Sequence, residues 1–218
     1  MSLTRDAIIT KVMAETKRSD KQSYLETIFP DIISRMSRAI TPDGEPIPLQ
    51  DLKTDGTLAT ADGGYYASLP GDFVFQYAEP ELLYDTDKGR ILIKKSLEWM
   101  NYNYPNRATN TSNKSKPIYY CLEKNRFDYA PMSDAVYSIT FPYTKLHATV
   151  SSNSVTILFR DTFEDVIKDF LKAQMFEDLD DLDKMGFYSG RGLVNLIALA
   201  NLDKRNADTV LITDVTDY

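Results

Sequence analysis

The sequence has only one cysteine and one histidine among its 218 residues. A single cysteine, Cys121, excludes an intrachain disulfide, and its strand-like surroundings predict that it is buried as a small apolar side chain. A nucleophilic cysteine needs a base, and the only histidine, His147, is distant in sequence. One histidine also excludes the His-Glu-x-x-His pattern and makes most zinc sites improbable. We expect His147 at a strand edge or in a loop, without a special role.

Long apolar runs are also missing from the sequence. No run approaches the roughly 18–20 residues that span a bilayer, so we expect no membrane partner. The opening residues Met1–Asp6 lack the apolar stretch of a signal peptide. We therefore expect the protein to be made and kept in the cytoplasm, or to leave it with a particle or by lysis.

The sequence has fewer basic than acidic residues. It contains 25 Lys and Arg and 32 Asp and Glu, which gives a net charge of −7. Tight nucleic-acid binding usually requires a basic face, so it is disfavoured here. The densest charge cluster is acidic and comprises Glu177, Asp178, Asp180, Asp181 and Asp183. Helical spacing favours a solvated helix face for these acids. Such a face could also border a path for DNA, since like charges repel and the polymer would not adhere.

Catalytic motifs are nearly absent. The sequence has no Gly-x-x-x-x-Gly-Lys, and Gly190-Arg191-Gly192 alone does not make a dinucleotide site. The segment beginning at Asp181 opens like a calcium loop but has Met185 at its fifth position and Gly192 at its twelfth, where a Glu is needed. We therefore expect no enzyme activity, no cofactor, no metal site and no catalytic residue.

Helical periodicity marks both ends of the chain. Thr4–Lys17 reads as a short amphipathic helix. A second helix is predicted from a cap at Asp20 to about Ile40, kinked or split by Pro30. Near the C-terminus a capping box at Thr162 opens a long helix over Phe163–Asp183. Gly186 is a natural stop, a second helix runs from about Arg191 to Asn206, and Ala207–Tyr218 reads as a tail.

The middle of the chain reads as β structure after a long loop. Thr41–Gly64 is punctuated by glycine and proline and is predicted to be loop. The clearest hairpin joins Ile118–Glu123 to Arg126–Ala130, with Asn125 as the residue that tolerates a left-handed turn. Further predictions are a hairpin that turns at Asp87-Lys88-Gly89, a helical turn over Ser96–Tyr102 that buries Trp99, a half-buried strand over Val136–Phe141 and a last short strand over Val155–Phe159.

These patterns predict an α+β fold, an α-helical bundle with an inserted antiparallel β region. The helical body takes residues 1–64 and 160–206, the β-rich insertion 65–159, and the C-terminal tail 207–218.

Several segments, in their order, resemble a known family. They are an N-terminal helical pair, Tyr65-Tyr66-Ala67-Ser68-Leu69-Pro70-Gly71-Asp72-Phe73, the strand Pro117-Ile118-Tyr119-Tyr120, the strand end Phe141-Pro142-Tyr143, and a long helix over Phe163–Asp183 followed by another. In this order the chain resembles the tailed-phage head-to-tail adaptors, also called head-completion or connector proteins, over roughly residues 5–206. The family includes the tail tubular protein of short-tailed phages. The loop 101–116 and Thr144 depart from the family pattern.

The resemblance implies a structural virion protein located at the neck and assembled in the host cytoplasm. It implies a homo-oligomeric ring of twelve copies that docks on the portal protein, meets a tail or next-ring protein, and lets DNA pass without specific binding. The helices would form the ring body. In this picture Val210, Leu211, Ile212 and Tyr218 form a portal-binding tail, and the acidic cluster at 177–183 lines the channel.

Two alternatives remain open. The 14 tyrosines and 10 phenylalanines suit a sugar-binding or carbohydrate-active β module that would use loop aromatics such as Tyr102 or Tyr104. A different virion component with the same helical hairpin, such as a tail-completion protein, is the other.

Overall fold

The computed structural model describes residues 3–85, 88–105, 108–109, 114–150, 152 and 156–213, of which 85, 88 and 203–213 are described as backbone only. The chain is α+β and folds as two compact units. Residues 1–52 and 146–218 belong to the helical unit, and Lys53–Lys145 form the β unit. The β unit thus begins 12 residues before the predicted insertion 65–159 and ends 14 residues before its end.

The helical unit begins with two helices. Helix α1 is Arg5–Thr16, capped by the Thr4 side chain, and α2 is Gln22–Ser37. Pro30 lies inside α2, so the helix is not split at this residue, which was one of the two outcomes expected there. Proline cannot donate to the carbonyl four residues earlier. That carbonyl, on Glu26, accepts a long hydrogen bond of 3.5 Å from the Arg5 side chain instead.

Two further α-helices belong to the described part of this unit. Helix α4 is Glu164–Asp178 and α5 is Leu182–Thr213, and they pack against each other. The core between the helices is aliphatic and aromatic and includes Ile8, Phe29, Leu171 and Leu196. The predicted strand at 155–159 is not formed in its described part, where Thr156 makes only an isolated bridge to Thr4. None of the helices in the described part of the chain is long and apolar enough to cross a bilayer.

The α4–α5 turn differs from its prediction. A single helix was expected over Phe163–Asp183, but Asp180 adopts a left-handed φ of 55° and separates α4 from α5. Asp181 then caps α5, because its carboxylate accepts a hydrogen bond from the Lys184 N–H at 3.2 Å. Gly186 does not stop a helix, since it lies within α5, whose start is already fixed by this cap. The same helix also covers Arg191, where a new helix was expected to begin.

The described residues of the β unit form two sheets and one short α-helix. Its elements are β1 Lys53–Ala59, β2 Tyr66–Ser68, β3 Phe73–Gln76, β4 Glu81–Asp85, β5 Lys88–Ile91, β6 Ile93–Lys94, α3 Leu97–Asn103, β7 Tyr119–Glu123, β8 Arg126–Ala130 and β9 Ser138–Lys145. The first sheet has the order β1-β9-β4-β5, with β3 also pairing with β9. The second has the order β2-β8-β7-β6. All described strand pairs are antiparallel except β6 with β7.

The predicted hairpin in the β unit is confirmed, whereas the first strand of the unit was not predicted. The hairpin of β7 and β8 forms as expected, although the left-handed residue of its turn is Lys124, with φ 54°, and not Asn125. Strand β1 falls within the stretch predicted to be loop. It pairs with β9 from Lys53↔Thr144 to Ala59↔Ser138, yet it buries only Leu58, so its sequence shows no apolar alternation.

Alternating burial along β9 supplies much of the β core. Ile139, Phe141 and Tyr143 point into it, and the first two belong to the face that the predicted strand over Val136–Phe141 was expected to bury. The predicted helical turn is α3, which buries Met100 and leaves Trp99 half-buried. Cys121 is 4% exposed, which confirms its predicted burial. Asp87, part of the predicted turn between β4 and β5, lies outside the described residues.

Candidate assembly surfaces

Two of the sequence segments that carried the resemblance meet inside the β unit. The phenol of Tyr143 donates a hydrogen bond of 2.9 Å to the carboxylate of Asp72. Beside this bond, the ring of Phe73 packs on Phe141 and Tyr143 at centroid distances of 5.6 and 5.9 Å. Burial, together with the hydrogen bond and charge of Asp72, raises the pKa of Tyr143 to about 12. The phenol therefore stays protonated and keeps donating to Asp72 at neutral pH.

A third segment joins the same core through Tyr120, the last residue of the Pro-x-x-Tyr strand. Its ring is fully buried and stacks on Phe127 at 5.0 Å. Phe127 in turn meets Phe141 edge to face at 5.5 Å. The Tyr120 hydroxyl donates to Glu79 and accepts from Gln76, both at 2.6 Å. Its pKa is raised by burial and then by the bond to Glu79.

We call Phe73, Tyr120, Phe127, Phe141 and Tyr143 the aromatic core. Each of its rings packs against at least one other ring of the set, and its two hydroxyls hydrogen-bond protein side chains. Three of the segments that carry the resemblance thus meet in a structural core of the β unit.

The acidic cluster lies at the α4–α5 turn and not along one helix face. Asp178 pairs with Lys21 at 2.6 Å, and Asp181 pairs with Lys184 at 2.7 Å. Glu177 is exposed and accepts a hydrogen bond from Gln174. The remaining two acids, Asp180 and Asp183, are exposed. Two of the five charges are therefore neutralised within the helical unit, which the helical spacing alone did not indicate.

The predicted portal-binding residues fall at the end of α5. The helix backbone continues to Thr213, so it includes Val210, Leu211 and Ile212 and passes the expected end at Asn206. Neither glycine nor proline interrupts residues 203–213, so the backbone has no local reason to leave the helix there. Tyr218 lies outside the described residues.

A cluster of charges on α1, α4 and α5 was missed in the sequence. Lys168 and Lys172 of α4 both bind the carboxylate of Glu15 on α1, the first at 3.0 Å. Next to Lys168 on α4, the buried carboxylate of Asp169 accepts two hydrogen bonds from the Arg191 guanidinium of α5, one of 2.7 Å. The α4 half of the cluster was visible as charges at helical spacing, but their partners lie on other helices.

The chain was also compared with known protein families. A sequence model of the family described as SU10 adaptor protein matches residues 3–210. The chain belongs to this family. It is a phage head-to-tail adaptor family, so the resemblance is confirmed and a phage adaptor role is supported. No curated protein matches the chain.

The two rings named for a sugar site differ in their surroundings. Tyr104 packs on Trp99 and Tyr119 at 6.2 and 6.1 Å, and Trp99 meets Tyr119 edge to face at 4.7 Å. Burial, and then Tyr119, raise the pKa of Tyr104. The faces of Tyr104 that these rings occupy are not open for stacking on a sugar. Tyr102, in contrast, is 86% exposed.

His147 holds a loop of the adaptor's helical unit in place. It is buried, its Nε2 accepts a hydrogen bond from the Leu158 N–H at 2.8 Å, and its Nδ1 donates to the Ala148 carbonyl at 2.6 Å. The ring therefore acts in its neutral form as a structural bridge between two parts of the loop after Lys145. Among the described residues, no group of three or more histidine, cysteine and carboxylate side chains is arranged to hold a metal ion.

Proposed function

We propose that this adaptor assembles into a closed ring, with twelve copies as the stoichiometry that the resemblance implies. The ring docks on the portal protein, presents its other side to a tail or next-ring protein, and leaves a channel through which DNA passes. The protein acts through these contacts in the neck of the virion, after assembly in the host cytoplasm, and not through catalysis. In this proposal the helical unit forms the ring body.

The length of α5 carries this proposal. The helix has 32 residues, about 48 Å, whereas its partner α4 has 15 residues, about 22 Å. No more than about half of α5 can therefore lie alongside α4. A helix that extends beyond its partner helix in the same chain has a free part that can pack against another protein. The apolar residues Val210, Leu211 and Ile212 fall in this distal half.

The portal contact is tested by removing the end of the chain. Deleting Ala207–Tyr218 should weaken binding to the portal at least about tenfold, the loss of some 1.4 kcal/mol. Thermal unfolding should stay unchanged, because the core residues of the helical unit whose side chains the structure describes end at Ala200. A sharper variant replaces Val210, Leu211 and Ile212 with serine, and its matched control carries Asp208→Asn and Thr209→Ser. Portal binding by the truncated chain that equals that of the full chain would contradict the assignment of the tail.

The proposed channel is tested by neutralising acids. Because Asp178 and Asp181 are already paired, Glu177, Asp180 and Asp183 are the acids that would border the DNA. Asp183 is left unchanged because it lies at the start of α5, and replacing Glu177 and Asp180 with their amides should make the ring bind DNA more tightly at low salt, since it removes two repelling charges per subunit. The control makes the same charge change at the exposed Asp31 and Asp43. Equal DNA binding by both double variants would place the channel elsewhere.

The ring itself is tested by mass photometry and electron microscopy of the purified chain, alone and with the portal protein. A closed ring of twelve on the portal is the expected result. A chain that stays monomeric on the portal, or binds no portal, would contradict the proposed function.

A further inference from the structure

Helix α5 has two apolar faces. One is buried within the helical unit and contains Leu196 and Ala200. On the opposite side Phe187, Val194 and Leu202 are exposed by 59%, 66% and 52%. On a helix of 3.6 residues per turn, Phe187 and Val194 differ in direction by about 20° and Val194 and Leu202 by about 80°, so the three side chains lie within an arc of about 80°. Exposed apolar side chains are ordinary when scattered, but three of them within one such arc make a surface that fits another helix. We call these three residues the outer stripe.

The outer stripe is held in a fixed shape by its neighbours. The guanidinium of Arg191 lies over the Phe187 ring at 5.2 Å, and Tyr188 meets that ring edge to face at the same distance. Arg191 is itself fixed by its two hydrogen bonds to Asp169. A side chain already ordered in the free subunit loses less entropy when a partner covers it.

A complementary surface exists on α1. This helix buries Ile8, Ile9 and Val12, and its outer face carries the exposed small residues Ala7, Thr10 and Ala14. Small side chains let a second helix approach closely, and large ones then fill the space beside them. Ala7 and Ala14 are seven residues apart, as are Phe187 and Val194. Each of the two large side chains of α5 can therefore pack against one of the two small side chains of α1.

Charge selects an antiparallel arrangement of the two helices. With Ala14 opposite Phe187 and Ala7 opposite Val194, the exposed Lys17 comes level with the start of α5. The exposed Asp183 lies there, while the neighbouring Lys184 is already paired with Asp181. A parallel arrangement would instead put Lys17 level with Ile197, where α5 offers it no acid.

We propose that the outer stripe of α5 packs antiparallel on the outer face of α1 in the next copy of the chain. This contact rests on the proposed ring and identifies its subunit interface. The two faces lie on different helices of one chain, so the contact is heterologous, and repeated contacts of this type close into rings when the rotation permits. Leu202 extends the stripe past the start of α1 in this arrangement.

Disulfide trapping tests the contact. A chain with Ala7→Cys and Val194→Cys, oxidised at assembly concentration with the portal present, should give a ladder of covalent multimers on a non-reducing gel. Either single variant should stay monomeric, because the native Cys121 is buried. Dimers from Val194→Cys alone would show that two α5 helices pair with each other and would overturn the proposal. Rings visible by microscopy without any ladder from the double variant would also overturn it, while the proposed function stands.

Charge exchange gives a second test that needs no new bond. Lys17→Glu should raise the concentration for half-assembly about threefold or more, and adding Asp183→Lys should restore it to within about twofold. The failure of the second substitution to restore assembly would contradict the antiparallel arrangement. If the wild-type chain forms no ring with the portal and the double cysteine variant forms no ladder, both the proposed function and this interface are wrong.

Discussion

The ring of Tyr143 lies directly over Gly56 of the neighbouring strand. A Cβ on residue 56 would stand 2.7 Å from Cε1 of this ring and 3.5 Å from Cδ1. Gly56 pairs with Phe141 in the β1–β9 register, so Tyr143 reaches it diagonally across the sheet. The missing side chain at 56 makes room for the ring that also hydrogen-bonds Asp72.

Gly56→Ala is therefore expected to destabilise the protein. The added methyl group must displace the Tyr143 ring, which is packed on Phe73 and Phe141, and overpacking of this kind costs about 1–3 kcal/mol. Urea unfolding of the full chain measures the change. Gly71→Ala is the matched control, because a Cβ there meets nothing within 4 Å. Equal midpoints for the two variants would show that the ring moves aside at no cost.

Removing the Tyr143 hydroxyl tests the bond to Asp72. Tyr143→Phe keeps the ring and removes the hydrogen bond to Asp72. This should lower the free energy of unfolding by about 1 kcal/mol at neutral pH. Because the folded pKa of Tyr143 is raised to about 12, its contribution is complete below the ordinary value of 10 and is lost as the pH rises through 12. The stabilities of the variant and the wild type should therefore converge over that range. Tyrosinate absorbance should lose one group that titrates near pH 12, and an unchanged titration would contradict the assignment.

The β unit shows which strands a sequence reveals. The hairpin of β7 and β8 was predicted because two aromatic runs flank a two-residue turn. Strand β1 was missed because it buries Leu58 alone, and its stability comes from pairing along the whole of β9. A strand held by its partner's backbone, and not by its own apolar face, leaves little trace in the sequence.

The site predictions were limited by contacts over long sequence distances. The segments that contain Asp72 and Tyr143 were both named for the family resemblance. The hydrogen bond between these two residues spans 71 positions, however, and follows only from the fold. The acidic cluster was read as one helix face because the left-handed conformation of Asp180 has no strong signal in a non-glycine residue. Likewise the outer stripe was invisible until the structure showed which face of α5 is buried.

The pair of Arg191 and Asp169 is expected to respond unequally to the loss of each partner. Arg191→Met removes the guanidinium that pairs with the Asp169 carboxylate, which is only 2% exposed. The variant should lose about 2–3 kcal/mol in free energy of unfolding. Asp169→Asn leaves an arginine that is partly exposed and can be solvated, so the cost should be nearer 1 kcal/mol. Chemical unfolding of the two variants gives the order. A larger loss for Asp169→Asn would mean that the carboxylate is satisfied by other groups.

Glu15 should make the helical unit sensitive to acid. Burial raises the pKa of this carboxyl, but hydrogen bonds and charge from Lys172 and Lys168 outweigh burial and hold the pKa below its ordinary value. A lowered folded pKa gives stability that is present above the ordinary value of 4.5 and is lost as the pH falls through the folded value. Glu15→Gln should therefore cost on the order of 0.5–1 kcal/mol at pH 7, since the side chain is partly exposed, and progressively less below about pH 4. Unfolding midpoints at pH 7, 5 and 3 measure this trend, with the exposed Glu45→Gln as the control. A difference between Glu15→Gln and the wild type that stays constant or grows toward pH 3 would show that the lysines do not stabilise the ionised form.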